Sequence, residues 1–331
     1  MEAIWAAIIF FGIVIVVRTL FMPLFRRDRL QGKHVLITGG SKGLGLALAR
    51  EFIKRGCDVS VVARNQSDLL SALQDLVALG KTLPTPPKIQ ALSADTSSMD
   101  DLAKALSVAA DAAGPIEVLV CNAGLSIPGL FVNQQITDFE SQMEVNYMGT
   151  VRTIKCALPT MLARRQGHIV ITTSVLSVLG FAGYSSYAPT KWALRGLADC
   201  LHNELQGTGV KISVAYPPDT DTPGYATEKL TKPGLCNAVN NAVGSDLYTA
   251  EKVAKKLVKQ LERGAYHLTT PDLGSNILIS SMTSLAPKSL PSFIGVVISP
   301  VVQIASTVVG GIADRAARKY NATKGYPEKS S

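Results

Sequence analysis

The sequence predicts an α/β fold: a doubly wound parallel sheet forming one catalytic domain, with apolar segments at both ends. Three observations predict it. Short apolar runs of strand type alternate with stretches of helical period between residues 34 and 270. The first of these runs breaks into a glycine-rich turn that opens a helix. Outside them, residues 3–25 and 271–313 carry almost no charge.

The N-terminal run, 3–25, is interrupted only by Arg18 and is just long enough to span a bilayer. A helix lying in the interface is the alternative. Glu2 and the lack of a small-residue cleavage site argue against a removed signal peptide. Arg26, Arg27, Arg29 and Lys33 follow at once, and basic flanks of this kind stay on the cytosolic side.

Residues 34–38 read as a buried strand, followed by Gly39, Ser41, Lys42, Gly43 and Gly45, then a helix over 44–55. Glycines let a backbone approach a pyrophosphate, and the helix N-terminus stabilises its charge. The second strand, 58–63, ends at Arg64, where a fold that binds NAD usually has an acid for the ribose 2′-hydroxyl. Arg64 and Lys42 would instead attract a 2′-phosphate, so the expected cofactor is NADPH. A helix over 66–79 and a proline-rich connector lead to a third strand, 89–94, with Asp95 at its carboxyl end near the expected adenine. Ser98 and Asp101 form a capping-box pattern for the next helix. A fourth strand, 116–121, ends in Asn122 and Gly124.

Helical period resumes over 137–165 and carries Asn146. A fifth strand, 168–173, ends at Ser174, thirteen residues before Tyr187. Tyr187 and Lys191 are four apart and share one face of a helix that extends to about 206. A phenol has a reference pKa of about 10, and an ammonium beside it would pull that value down. Ser174 would hold a carbonyl oxygen while Tyr187 protonates it. A sixth strand, 210–216, precedes a long stretch to 248 without clear period, expected to be an irregular substrate lid. A charged amphipathic helix, 249–263, and a last short strand close the domain.

From 273 to 313 the single charge is Lys288, and Pro300 interrupts the longest apolar stretch. With the domain complete by 270, this segment is expected to associate with a membrane, as a hairpin or a kinked span. The competing reading is a core helix. Residues 314–331 read as an exposed polar tail.

Composition narrows the function further. The net charge is +8, yet there is no nucleic-acid-binding motif and aromatic residues make up 6%. Membrane surface and an anionic cofactor account for the basic charge better than nucleic acid does. Five scattered cysteines without a CxxC point to reduced thiols, and the four histidines show no metal spacing, so no metal is expected.

Taken in order, Thr38-Gly39-x-x-x-Gly43-x-Gly45, Asp95, Asn122-Ala-Gly124, Asn146, Ser174, Tyr187-x-x-x-Lys191 and the Pro217 loop resemble the short-chain dehydrogenase/reductase family over about residues 32–270. The resemblance implies a Rossmann-type sheet and a Ser174, Tyr187, Lys191 and Asn146 catalytic set. Tyr187 would be the general acid and Ser174 would polarise the carbonyl. Lys191 would lower the phenol pKa and bind the nicotinamide ribose, and Asn146 would hold a water that connects Lys191 to solvent. Thr222 would contact the nicotinamide carboxamide. Pro218 departs from the family's usual glycine. Within the family the resemblance extends to reductases of a long-chain sphingoid ketone at the cytosolic face of the endoplasmic reticulum membrane, and leaves a homodimer open. A reductase of a steroid or retinoid carbonyl is the alternative, and a non-catalytic lipid-binding protein is a third reading.

Overall fold

The computed structural model describes residues 30–244, 246–269, 271, 273–281 and 292–324. The expected anchor at 1–25 lies outside the described residues. Parallel strands β1 (His34–Thr38), β2 (Asp58–Ala63), β3 (Ile89–Ser93), β4 (Val118–Cys121), β5 (Gly167–Thr172) and β6 (Val210–Ala215) alternate with helices. The first six helices are α1 (Gly43–Ile53), α2 (Gln66–Gly80), α3 (Met99–Ala113), α4 (Ile136–Gln142), α5 (Gly149–Ala163) and α6 (Ala188–Glu204). Then come β7 (Thr220–Asp221), α7 (Pro223–Thr231), α8 (Gly234–Val243), β8 (Tyr248–Thr249), α9 (Ala250–Leu261), β9 (His267–Leu268), α10 (Leu273–Ser281) and α11 (Ser292–Lys324).

The main sheet has the order β3-β2-β1-β4-β5-β6-β9, and its neighbouring strands pair in parallel. Strand β1 is buried along its whole length, which is why its centre, Val35, Leu36 and Ile37, reads as an apolar run. Its side chains still alternate. Val35 and Ile37 join one core with Phe52, Leu76 and Leu257, under α1, α2 and α9. Leu36 joins the other with Leu102, Met161 and Leu194, under α3, α5 and α6. The strand order reverses between β1 and β4, so the turns after these two strands diverge and open a crevice at the sheet's carboxyl edge.

Two regions differ from the sequence expectation. The stretch expected to be irregular to 248 is largely helical. Thr222 caps α7 by accepting a hydrogen bond from Tyr225 N at 3.1 Å, and Pro223 fills the first helical position. The C-terminal segment is not separate from the domain. Ile279 of α10 is 1% exposed within the main core. Helix α11 runs across the expected boundary at 313/314, and its Ala313, Ala316, Ala317 and Tyr320 pack on Leu235 and Val239 of α8. No helix among the described residues is long and apolar enough to cross a membrane.

Candidate active site

The dinucleotide cradle is built from backbone. Thr38 Oγ1 accepts from Asn122 N (3.1 Å) and Ala123 N (3.2 Å), fastening the turn after β4 to the end of β1. Asn122 Nδ2 donates to Gly39 O at 3.2 Å, so this side chain braces the glycine turn. Gly39 has φ +64°, and a Cβ there would lie 2.9 Å from Ala123 Cα. A Cβ on Gly45 would collide with the Gly39 carbonyl. Gly43 (φ +55°) faces Thr222, whose Cγ2 would be 3.1 Å from an added Cβ, so the Thr222 loop closes over the glycine turn. Lys42 is the N-cap of α1 but makes no side-chain cap bond, which leaves the first-turn amides without a capping side chain. Ser41 is buried beside it.

The far wall of the crevice is a cleft of about 400 Å³ lined by Arg64, Leu92, Ala94, Asp95 and Lys104, among others. Arg64 lies only loosely against Asp95, Nη1 to Oδ2 being 3.8 Å, and its side chain is 66% exposed. Burial works against the Asp95 carboxylate, but hydrogen bonds from Ser97 and the Arg64 charge outweigh it and hold its pKa below the usual range. Lys42 is committed elsewhere, to Asp68 at 2.9 Å. A cradle with no room for side chains, an uncapped helix start and a guanidinium at the cleft's lip fit a dinucleotide phosphate group.

The catalytic set converges on the same edge. Tyr187 is the N-cap of α6, with Pro189 in the first turn, and Lys191 follows one turn later. Ser174 ends the strand region after β5 and caps a short 3₁₀ turn, Val175–Ser177, through Leu176 N at 3.1 Å. Val175 N bonds Pro217 O at 3.1 Å, tying that turn to the loop after β6. The Ser174 hydroxyl acts on the Tyr187 phenol and favours its ionised form. Lys191 Nζ donates to Thr172 O at 3.2 Å and lies 5.6 Å from the Tyr187 ring centroid.

The electrostatics correct one expectation. Burial pushes the Tyr187 phenol above its ordinary value, Glu228 and Asp219 add to this, and the Ser174 hydroxyl opposes it without prevailing. Burial also lowers Lys191 to about 8. The lowered phenol expected from Lys191 is therefore not set by the protein alone, because the same burial weakens the ammonium that was to act on it. A phenol with a raised pKa stays protonated at neutral pH, the state a proton donor needs.

Asn146 sits in a π-helical turn, Met143–Met148, between α4 and α5, and is fully buried. Its Oδ1 accepts from Leu125 N (2.8 Å) and its Nδ2 donates to Leu125 O (3.0 Å) and Thr190 Oγ1 (3.0 Å). A Cβ on Gly124 would lie 3.0 Å from Asn146 Oδ1 and 3.4 Å from Lys191 Nζ, so Gly124 keeps a gap open between the two.

The structure thus gathers Gly39, Ser41, Gly43, Gly45, Asn122 and Thr222 at one end of the crevice, and Ser174, Tyr187, Lys191 and Asn146 at its centre. Sequence reasoning missed the lid residues beside Tyr187: Tyr184, Asp219, Glu228 and Lys232. Tyr184 OH donates to Glu228 Oε1 at 2.5 Å. The signals were there in Thr222-Pro223 as a helix start and Glu228 with Lys232 at a helical i,i+4 spacing. Three of the four histidines are buried and structural: His34 bonds Gly114 O and Ser60, His168 bonds Ser213, and His267 bonds Tyr216.

A family profile described as short chain dehydrogenase matches residues 33–232, from the start of β1 to the end of the lid's first helix. The chain belongs to the short-chain dehydrogenase family. As a member it is an oxidoreductase, and its fold implies a nicotinamide cofactor. It is similar to the 3-ketodihydrosphingosine reductase of Bos taurus, 36% identical over 261 residues, covering 78% of this chain and 76% of the relative. It is 33% identical to the Dictyostelium discoideum reductase of the same name, over 85% of this chain and 86% of the relative. A 3-dehydrosphinganine reductase of Arabidopsis thaliana matches at 31% over 87% and 86%. Among solved structures, levodione reductase superposes with a TM-score of 0.66 at 20% identity, covering 74% of this chain and 97% of its own, which shows the shared fold.

Proposed function

We propose that this chain reduces the C3 ketone of 3-ketosphinganine to sphinganine, using NADPH. The observation that carries the reading is the similarity to sphingoid-ketone reductases from an animal, an amoeba and a plant, over at least 76% of each relative. The site supports it. Tyr187 donates the proton to the ketone oxygen, Ser174 holds that oxygen, and Lys191 with Asn146 resupplies Tyr187 across the gap at Gly124. Bound in the glycine cradle, the cofactor supplies the hydride. Arg64 favours the 2′-phosphate form, since an exposed guanidinium gains a charge-assisted bond that a bare ribose cannot give.

The catalytic domain works at a membrane, which holds so apolar a substrate. Ile304 and Val308 are exposed four residues apart on α11. Phe131 and Val132, both more than half exposed, follow Leu130, which packs with α8 and α11. The basic run at 26–33 supports a cytosolic face of the endoplasmic reticulum. The test is NADPH oxidation with 3-ketosphinganine, a steroid ketone and a retinal in parallel. Preference for either of the latter two overturns the substrate. Protection of the domain from protease in sealed microsomes overturns the topology.

A further inference from the structure

Lys232 is in an unusual place for a lysine. It caps the end of α7, and Pro233 after it holds the backbone extended (φ −68°, ψ 120°), so the chain turns sharply into α8. Its side chain is 4% exposed. Lysines are rarely buried without a partner, and the structure shows what receives this one. The ammonium lies 5.3 Å from the Tyr184 ring centroid, 5.7 Å from that of Tyr225, and 3.9 Å from Glu228 Oε1. Tyr184 fixes Glu228 through its hydroxyl, and Tyr225 OH reaches Asp219 Oδ2 at 3.5 Å. Two aromatic rings and a braced carboxylate around one ammonium make a cation cage. Lys229 lies on the outer side of Tyr225, 4.8 Å from its ring, and is exposed.

The cage adjoins the proton donor. The Tyr184 and Tyr187 ring centroids are 6.1 Å apart, and both rings pack in one cluster with Cys236. The proposed substrate, 3-ketosphinganine, carries an amine on the carbon next to the reacting carbonyl. A ketone oxygen held by Tyr187 and Ser174 therefore brings an ammonium to the neighbourhood of this cage.

We propose that Tyr184, Tyr225 and Glu228 form the subsite for the substrate's ammonium, and that Lys232 occupies it until an amino ketone displaces it. This rests on the proposed substrate. The exchange conserves charge, one ammonium for another, so Glu228, half-buried at 13% side-chain exposure, is at no stage left without a cation. The geometry allows it, because Lys232 lies at the joint between two helices and α7 buries no side chain. An amine-free ketone leaves Lys232 in place, which makes the lysine an element of selectivity against neutral lipid carbonyls.

Two measurements on the full chain in mixed micelles test this. The first is calorimetric binding of hexadecylamine against hexadecanol. The wild type binds the amine about tenfold tighter, Glu228→Gln loses that preference, and Lys232→Met tightens amine binding several-fold. Glu228→Gln retains an oxygen to accept from Tyr184. An amine preference that survives Glu228→Gln, or amine binding weakened by Lys232→Met, overturns the cage. The second is kcat/KM for 3-ketosphinganine against the amine-free ketone of equal length. In Glu228→Gln the amino ketone loses at least about tenfold more than the amine-free one. Equal losses overturn the cage and keep the substrate reading. Glu228-dependent amine binding by a wild type that leaves 3-ketosphinganine unreduced supports the cage and overturns that reading.

Discussion

The crevice at the sheet's carboxyl edge has two sides built on different principles. The glycine turn and the start of α1 form a backbone cradle, clamped by the hydrogen bonds of Thr38 and Asn122 and by a buried helix face: α1 alone buries Leu48, Phe52 and Ile53. The lid opposite is made of side chains on two short helices, one of them weakly anchored. Helix α7 buries none of its residues, and α8 is fastened chiefly through Leu235, Cys236 and Val239. The difference separates two tasks. A pyrophosphate is always the same shape, so a rigid backbone cradle suits it. A lipid ketone must be chosen among many, and choice is made by side chains that can move aside.

The comparison is broken most severely at the hinge between the sides, the catalytic set. Tyr187→Phe keeps the ring that packs with Tyr184 and removes only the hydroxyl that donates the proton, so kcat/KM for the ketone falls by about 10³ while the chain stays folded. Ser174→Ala removes one donor to the carbonyl oxygen and costs about 10² to 10³. Full ketone reduction by Tyr187→Phe, measured as NADPH oxidation with the substrate at subsaturating levels, would refute the assigned proton donor.

On the cradle side the effect is smaller and confined to one cofactor. Arg64→Ala lowers kcat/KM with NADPH by about 10- to 100-fold, the scale of a hydrogen bond to a charged group, and leaves NADH nearly unaffected. Lys42→Ala does less, because Lys42 is already paired with Asp68. Equal losses with the two cofactors in Arg64→Ala would mean that the arginine supports the cleft rather than reads the phosphate.

The same division explains what was legible in the sequence. The strands were, because parallel strands covered on both faces are apolar through their centres, as Val35, Leu36 and Ile37 of β1 are. The cradle was, because the positive φ of Gly39 and Gly43 favours glycine and the close approach of Ala123 and Thr222 leaves little space for a Cβ. Tyr187 and Lys191 were, because the spacing is local. The environment of Tyr187 was not: Glu228 and Asp219 act on it from a segment about 30 to 40 residues away, which no local period reveals. Nor was the π turn at Asn146, which depends on the contacts of Leu125 and Thr190 rather than on its own residues. The C-terminal boundary was misplaced for a different reason. Ala313, Ala316, Ala317 and Tyr320 follow a helical i, i+3, i+4, i+7 stripe, but small residues among charged ones read as tail until α8 is seen packed against them.

The smallest expected effect concerns stability and isolates the cost of the catalytic centre itself. Burial lowers Lys191 to about 8 in the folded chain, whereas in the unfolded chain it titrates near the ordinary value of about 10.4. Below pH 8 both states hold the proton, and the folded chain bears the full cost of an ammonium out of water. Between the two values the unfolded state binds more protons, so stability rises with pH. Lys191→Met removes the charge and keeps most of the stem. At pH 7 it melts higher than the wild type by a few degrees, on a scale of about 2–4 °C per kcal/mol, while reduction is lost. The gap closes as pH climbs from 8 towards 10, because the wild-type lysine becomes neutral. Melting curves of the two proteins from pH 6 to 10 decide it: a variant less stable at pH 7, or a gap independent of pH, would show that the Lys191 bond to Thr172 O outweighs its desolvation and that the catalytic centre is a source of stability like the cradle beside it.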